Sequence, residues 1–321
     1  MRILAVQSLT LSNLVFLLVV LTAGCDSPAP SADNSPRGTT TAVTGEPASA
    51  QTQDESADDN SQALKLMHWN IESGGNDPNL IASQLSDFAA ENQYSVFALS
   101  EVHHHKIYEE AFSKLGESDQ WQSVLGESGQ INRRESDRLM VIFDSTRLRM
   151  LSTRELNEYG EFKLNKGRHR SPLLIHFEDR ISRNQFYLIQ NHLARGDAEF
   201  RAEQAKGLRE FGRDNDVAKL CVGDFNFDFV FETRTGNAGF VEMVRDDVWK
   251  WIEPAKLIDT NWYDPDMDGQ DKFPGSMLDF TFVAGQARDW NVVSSVIVRQ
   301  GDFPDNQRTS DHRPVEVVIP F

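Results

Sequence analysis

The chain has 321 residues, with 32 Lys and Arg against 49 Asp and Glu, a net charge of −17, and 39% apolar residues. Such an acidic balance excludes a general polyanion-coating protein, which is basic overall, but it is compatible with a phosphate-handling site built from a metal ion and a local arginine cluster. The only two cysteines, Cys25 and Cys221, exclude a disulfide framework.

Arg2 precedes a run from Leu11 to Thr22 dominated by Leu, Val and Phe. The run is too short to span a bilayer comfortably and reads as a signal peptide over 1–24. It ends Leu21-Thr22-Ala23-Gly24-Cys25, which resembles the bacterial lipobox. That resemblance implies an exported lipoprotein of the cell envelope or periplasm, lipidated at Cys25 and attached to a membrane there. From Asp26 to about Gln62 the chain is Ser, Thr, Ala, Pro, Asp and Gln with almost no bulky apolar residue, so it cannot offset its ordering entropy. Residues 25–63 are expected to be a disordered tether, with a root-mean-square span of roughly 30 Å.

The remainder, 64–321, is long enough for one large α/β domain. It carries 30 Lys and Arg against 42 Asp and Glu, a net of −12, and one cysteine, Cys221, in an apolar run that suits a small core residue. Runs rich in β-branched and aromatic residues at 64–71, 96–100, 139–143, 172–177, 186–191, 219–223, 278–283, 293–299 and 314–319 read as strands. Helical patterns cover 80–90, 109–115 and 197–211, the last with an apolar stripe at Ala198, Ala202, Ala205 and Leu208. No repeat of solenoid or propeller period occurs, and a layered α/β sandwich fits the order of elements.

The strand ends carry polar residues that a core does not require. His68-Trp69-Asn70-Ile71-Glu72 closes the first strand and Ser100-Glu101 the second. Asn191-His192 follows 186–191, and Gly223-Asp224-Phe225-Asn226 follows 219–223. Asp279 opens 278–283, and Ser310-Asp311-His312-Arg313-Pro314 precedes the last strand. Any one of these is more often a turn former or an ordinary histidine. Their joint occurrence points to one converging site.

This ordered set resembles the endonuclease/exonuclease/phosphatase superfamily, which includes deoxyribonuclease I, abasic-site endonucleases, neutral sphingomyelinases and inositol-phosphate phosphatases. The resemblance spans 64–321. It implies an α/β four-layer sandwich of two facing mixed β-sheets flanked by helices, with a divalent-metal-dependent phosphodiesterase site at one end. Mg²⁺, with Mn²⁺ as the alternative, takes a few carboxylate oxygens and keeps several waters. By resemblance Glu101 is the leading ligand with Glu72 beside it, and Asn70 and Asp311 complete the ligand set or its hydrogen-bonded surround. Asp279 with His312 would form the acid/base pair, and Asp224 and Asn226 would position the attacking water. Which group takes the proton stays open.

His192 resembles the second histidine of the deoxyribonuclease I and sphingomyelinase branches, which abasic-site endonucleases lack. Asp137-Arg138 and Arg170-Ser171-Pro172 resemble deoxyribonuclease I elements, making Asp137 and Arg170 substrate-binding candidates. Glu135 stands where that enzyme's pattern has an aromatic residue, which weighs against nucleic-acid-groove binding. Two basic loops, Lys163, Lys166, Arg168 and Arg170 in one and Arg133, Arg134 and Arg138 in the other, are either solvated charge or a phosphate-attracting mouth.

Asp264, Asp266 and Asp268 match the start of a Ca²⁺ loop, but Gly275 occupies the position of the closing Glu. A structural Ca²⁺ site and an acidic turn both remain open there. Trp262 and Tyr263 can stack on a base, cover a lipid headgroup or anchor the core. Nucleic acid is the expected substrate. The alternative is a phospholipid, sphingomyelin or small phosphoester, and a silent binding module is least expected because every chemical position is filled. No protein partner is inferred.

Overall fold

The computed structural model describes residues 63–72, 75–129, 137–167, 169–299, 306 and 308–321. The signal segment, Cys25, the tether up to 62, Arg133, Arg134, Glu135 and Arg168 lie outside the described residues. Among those described, no helix is long and apolar enough to cross a membrane.

Two six-stranded mixed sheets face each other. The first contains β1 (Leu64–Asn70), β2 (Val96–Val102), β3 (Trp121–Leu125), β4 (Arg138–Asp144), β13 (Val293–Val296) and β14 (Val315–Ile319), in the order β13-β14-β1-β2-β4-β3. The second contains β5 (Leu148–Glu155), β8 (Leu173–Asp179), β9 (Gln185–His192), β10 (Ala218–Val230), β11 (Lys250–Trp251) and β12 (Ser276–Ala284), in the order β11-β12-β10-β9-β8-β5. A small hairpin joins β6 (Glu158–Tyr159) to β7 (Phe162–Lys163).

The period-two alternation of strands creates the layers. In β1 and β2, Leu64, Leu66, Val96 and Ala98 meet Leu188, Leu220 and Val222 of the second sheet in the central core. Their neighbours Met67, Trp69, Phe97 and Leu99 point the other way. They pack under α1 (Pro78–Asn92) and α2 (His105–Ser113), against Ile81, Leu85, Phe88, Tyr108 and Phe112. On the far side, Ile189, Cys221, Phe280 and Phe282 pack under α3 (Ala198–Arg213) and α4 (Ala238–Val244). Both faces of the central strands are buried, so these strands read as nearly continuous apolar runs. The chain is thus the expected four-layer sandwich, and Cys221 is a buried free thiol.

Several local expectations are corrected. Helix α3 buries Phe200, Gln204, Ala205, Leu208 and Phe211, whereas Ala198 is exposed. The stripe was misplaced because Gln204 is a buried polar residue with work to do: its amide binds the backbone of Ala194 and Leu164. The adjoining Arg201 likewise donates to the carbonyls of Ala194 and Arg195. Strands β3 and β5 lay outside the expected set, because β5 is an edge strand exposed over most of its length and carries no alternating pattern. Strand β10 does not end at Gly223. It runs to Val230 through an irregularity between Asp224 and Phe229, so the Gly223–Asn226 motif lies within the strand.

Candidate active site

The motif residues meet at one end of the sandwich because parallel neighbours bring their C-terminal ends together. Asn70 ends β1, and its cross-strand partner Ser100 precedes Glu101 in β2. In the second sheet Asp224 lies in register between His192 of β9 and Asp279 of β12, forming a row of three polar residues across three strands. Local kinks re-aim several of them. Glu72, Glu101 and Asn226 all have positive φ, at 40°, 60° and 52°, and Glu101 falls in the irregularity where β2 loses register with β4. Bulges beside active sites redirect side chains in this way.

Asn70 is the hub. Its Nδ2 donates to Glu101 Oε1 at 3.0 Å and to Asp224 Oδ2 at 3.1 Å, while its Oδ1 accepts from the Glu72 backbone N–H at 3.0 Å. Both amide protons are therefore used by carboxylates. The third neighbour of Nδ2, His312 Nε2 at 3.4 Å, receives none and is free to carry its own proton. His312 Nδ1 donates to Asp279 Oδ2 at 2.7 Å. The loop carrying His312 is held by its own backbone: the Trp69 indole donates to His312 O, Ser310 Oγ donates to Asn70 O, and the His312 N–H donates to Ser310 Oγ.

The electrostatics separate the two histidines. Burial pulls the His312 imidazole down, but Asp279, Asp311 and Asp224 override it and raise His312 to about 10. It is an imidazolium at neutral pH. Burial lowers His192 well below its usual value, aided by the Arg170 and His312 charges, so His192 is neutral. Its Nε2 lies 3.4 Å from Asp224 and 3.7 Å from Glu101. Asp224 is pushed up to about 7 by burial and by Asp279, against the opposing charge of His312.

These shifts set a pH dependence. Between pH 7 and 9 the other shifted histidines, His68, His104, His176 and His192, are all lowered and are neutral in folded and unfolded chains alike. His312 keeps its proton when folded, to about 10, and loses it when unfolded, near 6.5. The folded state keeps this proton, so the His312 contribution to stability falls as pH rises, by up to about 1.4 kcal/mol per pH unit. Glu72 and Asp224, both raised to about 7, add to the fall at the lower end of the range. Calorimetry of the protein in EDTA is expected to show this fall, and a flat profile would mean that His312 is not charged in the fold.

Three carboxylates gather beside Asn70. Burial, then Asp311 and Glu101, push Glu72 up to about 7. Asp311 Oδ1 is a buried oxygen without a hydrogen-bond partner. Half-buried, mutually repelling hard oxygens of this kind suit a divalent cation by their chemistry, although among the described residues their ligand atoms do not all close to within 4.8 Å of one another. Glu72, Glu101 and Asp311 are the residues that could hold it. The Asn70 amide oxygen accepts the Glu72 N–H on one of its two lone pairs, so Asn70 fits either the ligand set or its hydrogen-bonded surround.

The remaining candidates are placed as follows. Asn226 donates its backbone N–H to Asp224 Oδ1 and its side-chain amide to Leu193 O, bracing the Asp224 carboxylate. Asp137 pairs with Arg170 at 2.6 Å and lies 3.8 Å from His192 Nδ1. Burial raises Asp137 to about 6 in spite of Arg170. Of the two basic loops, Lys163 faces Glu158 and Lys166 faces Glu203, as solvated surface charge does, and Arg170 is paired with Asp137. The ligand atoms of Asp264, Asp266 and Asp268 lie within 4.8 Å of one another. Asp264 nevertheless accepts the backbone N–H groups of Asp268 and Gly269, and Asp266 pairs with Lys272, as in a self-satisfied acidic turn.

Sequence reasoning missed four contributors. Trp69 and Ser310 lay inside quoted motifs without a role. Arg195 follows His192 by three residues and its charge reaches that ring. Asn261, whose amide lies 3.4 Å from Asp311 Oδ2 and whose backbone bridges to His312, had no signal, because the pairing spans fifty residues.

No protein-family model matches the sequence, and none of the curated proteins does. Solved structures do match. An endonuclease/exonuclease/phosphatase family protein from Leptotrichia buccalis is 19% identical with a TM-score of 0.61, over 81% of this chain and 100% of its own. A mannosyl-6-phosphatase from Bacteroides thetaiotaomicron is 17% identical with a TM-score of 0.55, over 80% and 100%. D. rerio TDP2, complexed with single strand DNA product, is 12% identical with a TM-score of 0.57, over 81% and 99%. At these identities the likeness is one of fold, and the fold of this chain is that of the endonuclease/exonuclease/phosphatase proteins.

Proposed function

We propose that the protein is a divalent-metal-dependent phosphodiester hydrolase acting on nucleic acid, exported and held at a membrane through lipidated Cys25. One observation carries the catalytic part: a single amide, Asn70, ties Glu101 to Asp224 and abuts His312, which is itself paired with Asp279. The export and membrane parts rest on the sequence of residues 1–63. The TDP2 structure holding a single strand DNA product favours the nucleic-acid reading. The membrane tether and the mannosyl-6-phosphatase neighbour favour the alternative, a phospholipid, sphingomyelin or small phosphoester.

In this reading Glu72, Glu101 and Asp311 would hold Mg²⁺ or Mn²⁺, and the ion would supply Lewis-acid charge to the phosphoester. Asp224, raised to about 7 and braced by Asn70 and Asn226, is matched to take a proton from water near neutral pH. His312 presents its Nε2–H to the charge that develops on the phosphate. Asp279 holds the imidazolium in place and sustains its charge. Neutral His192 and the Asp137–Arg170 pair close the side of the site beside Glu101 and Asp224, with Arg170 the phosphate contact.

The test is hydrolysis of plasmid DNA, RNA, sphingomyelin and bis-p-nitrophenyl phosphate by the full chain with Mg²⁺. Nicking of DNA or RNA is expected, and turnover of the lipid or small diester alone would remove the nucleic-acid claim. EDTA is expected to abolish all turnover, and added Mg²⁺ or Mn²⁺ to restore it. Undiminished hydrolysis in EDTA would overturn the metal assignment.

A further inference from the structure

Beside the reaction centre lies a cleft of about 670 Å³, a size that suits one nucleoside with its phosphate. It adjoins the centre at Asn261, which lines the cleft, bridges through its backbone to His312 and places its amide 3.4 Å from Asp311 Oδ2. Its other wall is apolar and open to solvent: Phe273 is 59% exposed, Tyr263 42% and Val230 39%. Large apolar side chains gathered in one concave exposed place mark a binding surface. The Tyr263 and Phe273 rings lie nearly parallel, 19° apart with centroids at 5.9 Å, and both line the cleft.

Charge narrows the occupant. Lys272 is paired with Asp266, and the carboxylate of Asp228 is engaged by Asn237 and Arg201. Arg195 lies over the Tyr263 ring at 5.7 Å, and no carboxylate pairs with it among the described residues. On an acidic protein an unneutralised guanidinium against an aromatic face suits a ligand that is both planar and anionic. An acyl chain would call for a wholly apolar wall, whereas Arg195, Asp228, Asn261 and Ser276 alternate here with the rings.

We propose that this cleft is a specificity site for single-stranded nucleic acid, where the base next to the scissile phosphate stacks on Tyr263 and Phe273 and Arg195 meets the neighbouring phosphate. The inference rests on the phosphodiesterase reading only for the position of the scissile phosphate. Stacking on exposed rings tolerates any base, so the site selects for an unpaired strand over a duplex, not for sequence.

The test is binding by the full chain, in EDTA so that nothing is cleaved, of a single-stranded oligonucleotide carrying 2-aminopurine, whose fluorescence falls on stacking. Saturable quenching is expected. Phe273→Ala and Tyr263→Ala should each weaken binding about tenfold or more, and Phe273→Trp should restore it. Arg195→Gln should lower the salt slope of binding by about one. Wild-type affinity in both alanine variants, or sphingomyelin vesicles displacing the oligonucleotide, would overturn the proposal. Hydrolysis of bis-p-nitrophenyl phosphate by the wild type with Mg²⁺ is scored separately. Cleavage without quenching removes the cleft assignment alone, and quenching without cleavage removes the hydrolase reading alone.

Discussion

His312→Ala is expected to lower phosphodiester turnover by about two orders of magnitude or more, the usual loss when a preorganised donor to the developing transition-state charge is removed. The loop has anchors besides the pair between His312 and Asp279. Trp69 donates to the His312 carbonyl and Ser310 accepts its N–H, and alanine keeps both contacts. What disappears is the charge between Asp279 and Asp224. The variant should therefore keep its near-ultraviolet circular dichroism while losing rate. Its stability should also lose the fall between pH 7 and 9 that the His312 proton produces. Asp279→Asn is the companion variant: it keeps the shape of the pair, removes one carboxylate that raises His312, and should show the same changes to a smaller degree. Steady-state rates on bis-p-nitrophenyl phosphate decide the matter, and near-wild-type turnover in His312→Ala would sink the assignment.

Gly223→Ala is expected to destabilise the protein by about 3 kcal/mol or more, from backbone strain and a forced shift of packed backbone. Gly223 has φ +125°, where L side chains are rarely found, and a Cβ there would run into the backbone carbonyl of Asn191 on the neighbouring strand. Neither atom is the far end of a flexible side chain, so β9 and β10 must move apart. They carry His192 and Asp224 one residue further on, so activity should fall together with stability. For a domain of this size the melting temperature should drop by roughly 6–12 °C. Gly160→Ala provides the contrast: its φ is +55° but nothing lies within 4 Å of the added carbon, so only the conformational cost of about 1 kcal/mol remains. Equal melting temperatures for the two variants would mean that the β9–β10 contact is not tight.

The sandwich was legible because both faces of its central strands are buried, which leaves runs such as Val96–Val102 unmistakable in sequence. Site residues were legible because they repeat at strand ends and their order resembles one superfamily. Edge strand β5, which buries little, and the buried face of α3, where Gln204 and Arg201 replace apolar residues, carried no such signal.

Sequence by itself therefore determined the layers and the chemical inventory: carboxylates, amides and histidines at the ends of β1, β2 and β9, within β10 and β12, and before β14. Tertiary structure alone decided their states and partners. Asn70, Glu101, Asp224 and His312 are up to 242 residues apart in the pairs that connect them, and only folding sets which carboxylates surround which imidazole. That arrangement charges His312 and leaves His192 neutral, although both are histidines at strand ends. It also sets Arg195 over Tyr263 and Tyr263 against Phe273, opening a cleft beside the site. Burial and Coulomb interactions depend on distance in space, which chain order does not encode.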